Sequence, residues 1–490
     1  MDIIKHYVDI FNSADEEIYI NDISNSDVYE WMKQEVPIFE CPDKDIERTY
    51  YFRFWTYRKH IKSTENGIVI TEFLPRVPWA QKHNTINAAT GQHVYEGRWL
   101  RNSQKYLKDY ILFMLTKSDK CPVYSVWLID AAYKYATATG DFDFGDLFLE
   151  NCDKYFELWE KEHSVAGGGF WSIDNFDAME YSVSGTTTNL IRTRGIRPTL
   201  NSYMCADAYA IAKFSKIYGN SFLEEKYLKK HQFLKKYINE NLYEDGFYRA
   251  YHYSDCENPS DAIKRNGTAP RELLGYIPFM FDIPPQDRYD CFNLLTDENV
   301  FFSEYGLTTV EQCSARYLYE ANHENLWNGY IWPFATSQTL TALKNAAQKS
   351  ENEKFKSDFY MLMHQYAKMH KRTNDDHEEI CWIDEVLDPR NADWSSRTIL
   401  KNRGWPEQKG GYERGKDYNH STFCDLVISG LVGINTDGPE IEIKPLAPKT
   451  WEYFKLSRVK IRGEEYEITY DKTGKKYSKG VGLVITKKSL

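Results

Sequence analysis

Between residues 104 and 370 the chain repeats one pattern: about fifteen residues with apolar side chains at three- and four-residue spacing, an irregular loop, then another such stretch. The helical stretches run over 104–117 (QKYLKDYILFMLTK), 123–139, 145–161, 200–218, 221–241, 287–297, 333–347 and 353–370. This spacing gathers the apolar residues on one face, and such a face must be buried against a neighbour. A succession of helical hairpins suggests a closed ring.

The flanks differ. Residues 49–58 (TYYFRFWTYR) and 67–74 (GIVITEFL) are β-branched and aromatic between turn residues, which predicts short strands. After Gly430, residues 440–446, 457–462, 465–471 and 481–487 alternate apolar and polar, with a turn at Asp471–Gly474, predicting a small antiparallel sheet. The expected organisation is a mixed segment over 1–75, a helical unit over 76–435 and a small β-unit over 436–490.

The loops over 163–199, 243–271, 299–332 and 372–419 are long and rich in Gly, Pro and Trp, and long loops in a compact domain carry function. Aromatic residues make up 16% of the chain, enough to supply stacking platforms for sugar rings as well as a core. A net charge of −11 without a basic stripe argues against nucleic acid and anionic membranes as partners. No apolar run is long enough to span a bilayer, and the first residues lack a basic stretch followed by an apolar one, so no signal peptide is expected. Nine scattered cysteines without CxxC spacing point to reduced thiols and a cytoplasmic location. No cofactor and no metal is expected; Asp375, Asp376, Glu378 and Glu379 around His377 are read as a solvated charge cluster.

Four loop clusters place carboxylates beside aromatics. In 171–185 (WSIDNFDAMEYSVSG), behind Gly167–Gly169, Asp174, Asp177 and Glu180 neighbour Phe170, Trp171 and Tyr181. In 89–102 (ATGQHVYEGRWLRN), Glu96 and Arg98 precede Trp99. The others are 327–334 (WNGYIWPF) and 404–423 (GWPEQKGGYERGKDYNHSTF), the latter with Glu407, Glu413, Asp417 and His420 beside Trp405 and Tyr412. Singly, these acids are ordinary loop residues, and Asn419, Ser421 and Thr422 are good helix caps. Together they suit glycoside cleavage, which needs one protonated carboxyl aimed at the leaving oxygen and one carboxylate to activate water or attack carbon. Burial against aromatics keeps the proton on the first. The chain has no GxSxG, no GxxxxGK[ST], no GxGxxG after a strand and no HExxH.

In their order along residues 75–445, ATGQHVYEGRWL, WSIDNFDAMEYSVSG, RPTLNSY, WNGYIWPF and GGYERGKDYNHSTF resemble the six-hairpin glycosidases. The chain is most similar to glycoside hydrolase family 63, the mannosylglycerate hydrolase-like (MGH1-like) group and trehalase-like enzymes. The resemblance implies a mainly α fold, an (α/α)6 toroid with short N-terminal strands and a small C-terminal antiparallel sheet. It also implies inverting hydrolysis of an α-linked, small soluble glycoside from its end, by an Asp acid and a Glu base. The acid falls on Asp177, with Asp174 and Glu180 as the other candidates; the base falls on Glu413, with Asp417 behind it. Glu96, Arg98, Trp99, Trp171, Asn201, Trp327, Trp332, Tyr412 and His420 would line the sugar site. The family's P-R after the acid is missing, and Trp327-Asn328-Gly329-Tyr330 replaces W-R-G-P.

Three other readings stay open. A phosphorylase needs an anion pocket, for which Arg192, Arg194 and Arg197 near Thr186–Thr188 are candidates. A β-specific or arabinofuranosidase-like enzyme would use the same frame. A non-catalytic carbohydrate-binding protein would bind without cleaving. The partner expected is a carbohydrate; no oligomeric state follows.

Overall fold

The computed structural model describes residues 2–118, 122–253, 263–264, 269–350 and 352–488. Part of the expected loop over 243–271 lies outside these residues. Most periodic stretches form helices close to the expected bounds: Ser103–Lys117, Leu128–Thr139, Phe148–His163, Pro198–Ile217, Ser221–Asn241, Pro333–Ser350 and Glu353–Lys368. Residues Gln286–Thr296 instead wind as 3-10 helix.

The helices pack in order. Thr90–Gly97 meets Leu128–Thr139, which meets Pro198–Ile217; that helix meets Ile277–Met280, which meets Pro333–Ser350. Pro333–Ser350 meets Cys424–Leu426, which returns to Thr90–Gly97. Ser103–Lys117, Phe148–His163, Ser221–Asn241 and Glu353–Lys368 pack against the members of this series. The fold is mainly α, with small antiparallel sheets.

A further expectation fails. Residues 49–58 are not a strand but the end of a helix, Lys44–Tyr57. The Asp43 carboxylate caps it by accepting the N–H groups of Asp45 and Ile46, each at 3.2 Å. Tyr50, Tyr51, Phe52, Phe54, Trp55 and Tyr57 are all buried. Burial on every side erases the amphipathic period, and tertiary packing overrides the β-preference of aromatic rings. Farther along, the strand expected over 67–74 is shorter, Gly67–Ile70, and pairs antiparallel with Ile61–Thr64.

Near the C-terminus, strands Tyr453–Ile461, Glu464–Asp471 and Gly482–Lys488 form a sheet. The Asp471 carboxylate closes its second turn by accepting the N–H groups of Thr473 and Gly474. A fourth strand, Ile38–Glu40, pairs antiparallel with Tyr453–Ile461. The two ends of the chain thus share one sheet. Among the described residues no helix is long and apolar enough to cross a membrane.

Candidate active site

A cavity of about 220 Å3 opens between loops from distant parts of the chain, with Glu72, Glu180, Glu324, Glu385, Arg414 and Trp332 in its walls. Phe73, Trp79, Tyr124 and Tyr418 add aromatic surface. A larger hollow of about 460 Å3 lies between the Ile3–Ser13 helix and the 371–381 hairpin. There Asp15 and Asp417 are both paired to Lys59, and Glu378 and Glu379 face solvent.

Glu180 reaches the first cavity because its neighbours pin the loop around it. Residues Asp174–Asp177 form a 3-10 turn, and Ala178 and Tyr181 take left-handed backbone conformations, with φ of 55° and 61°. The buried Asp174 carboxylate accepts the N–H groups of Asn175 and Tyr181, both at 2.8 Å. The Glu180 carbonyl accepts from the Trp327 N–H at 3.0 Å, joining this loop to WNGYIWPF. Burial, followed by the charges of Asp174 and Glu385, pushes the Glu180 carboxyl up to about 8. It is a carboxylic acid at neutral pH.

Glu385 is held differently. Arg414 and Ser396 (3.1 Å) donate to one carboxylate oxygen and the Asn325 amide (3.2 Å) to the other. Burial pushes its carboxyl up, and the Arg414 guanidinium opposes that shift. Arg414 also lies 3.4 Å from Glu324, which Lys409 approaches to 2.8 Å. Salt-bridging lysine, a neighbouring histidine and arginine bring Glu324 down to about 2, against its burial. The Tyr418 hydroxyl is driven far up by burial and then by the charges of Glu72, Glu385 and Glu180. Tyr418 thus shares the cavity wall with these three carboxyl groups.

Asp177 and Glu413, the expected acid and base, do not line this cavity. Asp177 accepts from Ser125 (2.7 Å) and Ser172 (3.0 Å) on one oxygen and from Thr199 and the Arg197 guanidinium (2.6 Å) on the other. Glu413 is gripped by both arms of Arg397. Asp417 is paired with Lys59 at 2.6 Å.

The residues near 96 also have other work. Glu96 accepts the N–H groups of Phe423 (3.0 Å), Cys424 (2.9 Å) and Asp425 (2.9 Å), capping the last buried helix. Arg98 and Trp99 both donate to Asp425 at 2.7 Å. A carboxylate 327 positions away thus does the capping that the local Asn, Ser and Thr were expected to do. Asn201 holds the Phe170 N–H and C=O, each at 2.8 Å.

Trp171 lies between His163 and Arg194, outside the cavity wall. Trp327 stacks behind the cavity-lining Trp332 at 4.6 Å, and Tyr412 is 56% exposed. His420 sits behind the wall, its Nδ1 at 2.9 Å from the Tyr418 hydroxyl and 3.2 Å from Glu72. Among the described residues the three arginines of the expected anion pocket point to separate partners. Arg197 holds Asp177, Arg192 lies over Tyr181 and Arg194 over Trp171.

Glu72, Glu324, Glu385 and Arg414 escaped the reading of the sequence. Glu72 in GIVITEFLP and Glu385, beside Asp384, in CWIDEVL carried one usable signal: acids inside an apolar run cannot remain solvated if the run is buried.

The model of the mannosylglycerate hydrolase MGH1-like glycoside hydrolase domain matches residues 82–421. A solved sialidase is 32% identical, covers 98% of this chain and superposes with a TM-score of 0.86; this chain spans 42% of its length. A family 78 rhamnosidase of Bacillus sp. GL1 is 12% identical, with 89% of this chain and 40% of that one covered and a TM-score of 0.53. An α-L-rhamnosidase from Dictyoglumus thermophilum is 12% identical over 89% of this chain and 43% of its own, with a TM-score of 0.50. At that identity the rhamnosidases speak for the fold alone. No curated protein matches. The chain belongs to the MGH1-like glycoside hydrolase family.

Proposed function

We propose that the chain hydrolyses an α-linked glycosyl residue from the end of a small soluble glycoside, with inversion, using Glu180 as general acid and Glu385 as general base. One observation carries this reading: Glu180, whose carboxyl burial pushes up to about 8, lines the same cavity as Glu385, which pairs with Arg414. Glu180 gives its proton to the leaving oxygen as the glycosidic bond breaks. Glu385 takes a proton from the water that attacks the anomeric carbon from the other side. Burial raises both carboxyls, but only Glu385 is paired with a guanidinium, which favours its charged form. The small volume suits one terminal sugar ring against the Trp332 indole.

Asp177 and Glu413 then serve by position, holding the loops through Arg197 and Arg397. The return of the helical series to its first member supports an (α/α)6 toroid over 76–435, flanked by the segments 1–75 and 436–490. Assay against α- and β-linked nitrophenyl glycosides, disaccharides, a mannosylglycerate and sialosides, with and without phosphate, tests the reading. The expected outcome is phosphate-independent release of an α-linked sugar whose first-formed anomer, followed by NMR, is inverted. Retention of configuration, or release only with phosphate, refutes the mechanism.

A further inference from the structure

The matched family domain begins at residue 82, yet Glu72, Phe73 and Trp79 precede it and stand in the cavity wall. The segment is bound to the far end of the domain. Asn419 donates its backbone N–H to the Glu72 carbonyl (3.1 Å) and its side-chain amide to the Thr71 carbonyl (3.2 Å). His60, just upstream, meets the Asp417 carbonyl at 2.8 Å. Phe73 packs with Val77, Ile86, Ala88 and Tyr418.

Glu72 itself is 5% exposed and only half satisfied. The Tyr418 hydroxyl donates to its Oε1 at 2.9 Å and His420 Nδ1 lies 3.2 Å away, while Oε2 has no partner. Behind it, His420 is 1% exposed and its Nε2 is also without a partner. A buried carboxylate oxygen left without a hydrogen bond costs stability unless something polar fills it. Lys409 and Arg414, the cations of the wall, are committed to Glu324 and Glu385.

We propose that Glu72 is a specificity-determining residue: its Oε2 accepts a hydrogen bond from a hydroxyl of the terminal sugar, and the cavity takes a neutral, hydroxyl-bearing ring rather than an acidic sugar. The inference rests on the glycosidase reading above. A site built to bind a hydroxyl rejects an analogue lacking it, because the carboxylate is then buried unpaired.

The test uses the full chain and the neutral glycoside it cleaves fastest, together with the monodeoxy forms of that sugar. Glu72→Gln should raise KM about ten- to hundredfold with a smaller change in kcat, the range of a hydrogen bond to a charged group. It should also abolish most of the discrimination against one deoxy sugar, and sialosides should not be cleaved. Tyr418→Phe keeps the carboxylate but frees its other oxygen, and should shift KM the same way by less. Calorimetric binding of the free sugar gives the same comparison without turnover, and thermal melting separates a folding defect. If Glu72→Gln unfolds, the deoxy-sugar ratios of the wild type and of Tyr418→Phe decide.

Cleavage by wild type with KM and deoxy ratios unchanged in Glu72→Gln overturns this inference and leaves the acid and base standing. Preferred cleavage of a sialoside also overturns it. Absence of both cleavage and sugar binding in the wild type would sink the glycosidase reading with it.

Discussion

Replacing Glu180 by Gln keeps the shape of the side chain and removes the proton. With its carboxyl at about 8, about nine molecules in ten carry that proton at pH 7, against about three in a thousand at the ordinary value of 4.5. The cavity therefore supplies a roughly three-hundredfold gain in competent acid. A positioned general acid contributes about 10²–10⁴-fold to the rate, or about 3–5 kcal/mol of barrier. Glu180→Gln should lose that factor on a disaccharide, whose alkoxide leaving group needs the proton. It should lose far less on a nitrophenyl glycoside, whose phenolate departs unaided.

The wild-type kcat/KM should fall as pH rises through about 8, since the protonated form is the active one. Asp174→Asn removes one of the two negative charges that hold the proton there, so this fall should move to lower pH. The assay is initial rate against pH on both substrates. Equal losses on the two leaving groups, an alkaline limb that survives in Glu180→Gln, or a limb moved to higher pH by Asp174→Asn would each defeat the assignment.

Two stability experiments probe the frame. Glu96→Ala leaves the N–H groups of Phe423, Cys424 and Asp425 buried without their acceptor and should cost about 3–6 kcal/mol in urea unfolding; a loss below about 1 kcal/mol contradicts the capping role. Lys59→Met leaves Asp15 and Asp417 buried without their shared cation and should cost about 3–5 kcal/mol. Burial notwithstanding, Lys59 and Lys416 hold the Asp15 carboxyl below its ordinary value. That contribution is present above about pH 4 and lost as pH falls, so Lys59→Met should flatten the acid side of the wild-type stability curve.

The helices were legible because burying one face of a helix leaves a period of three to four in the sequence. Ser221–Asn241 falls where its pattern places it. The Lys44–Tyr57 helix was hidden because its rings are buried all round. The site divided in the same way. Residues 171–185 were recognisable as a loop rich in acids and aromatics, and Glu180 and Trp332 from the chosen clusters do line the cavity. Asp177 and Glu413 look equally suitable in one dimension, and their place outside the cavity sets them apart.

By itself the sequence determined where most helices and loops fall, that the loops are rich in acids and aromatics, and to which family the chain is similar. These are properties of composition and of spacing along one strand of backbone. Tertiary structure alone decided which carboxyls share the cavity and which are held outside it by loop arginines. A carboxyl's proton affinity depends on what is buried around it, and here Glu180, Glu385, Arg414 and Glu72 come from segments up to 342 positions apart.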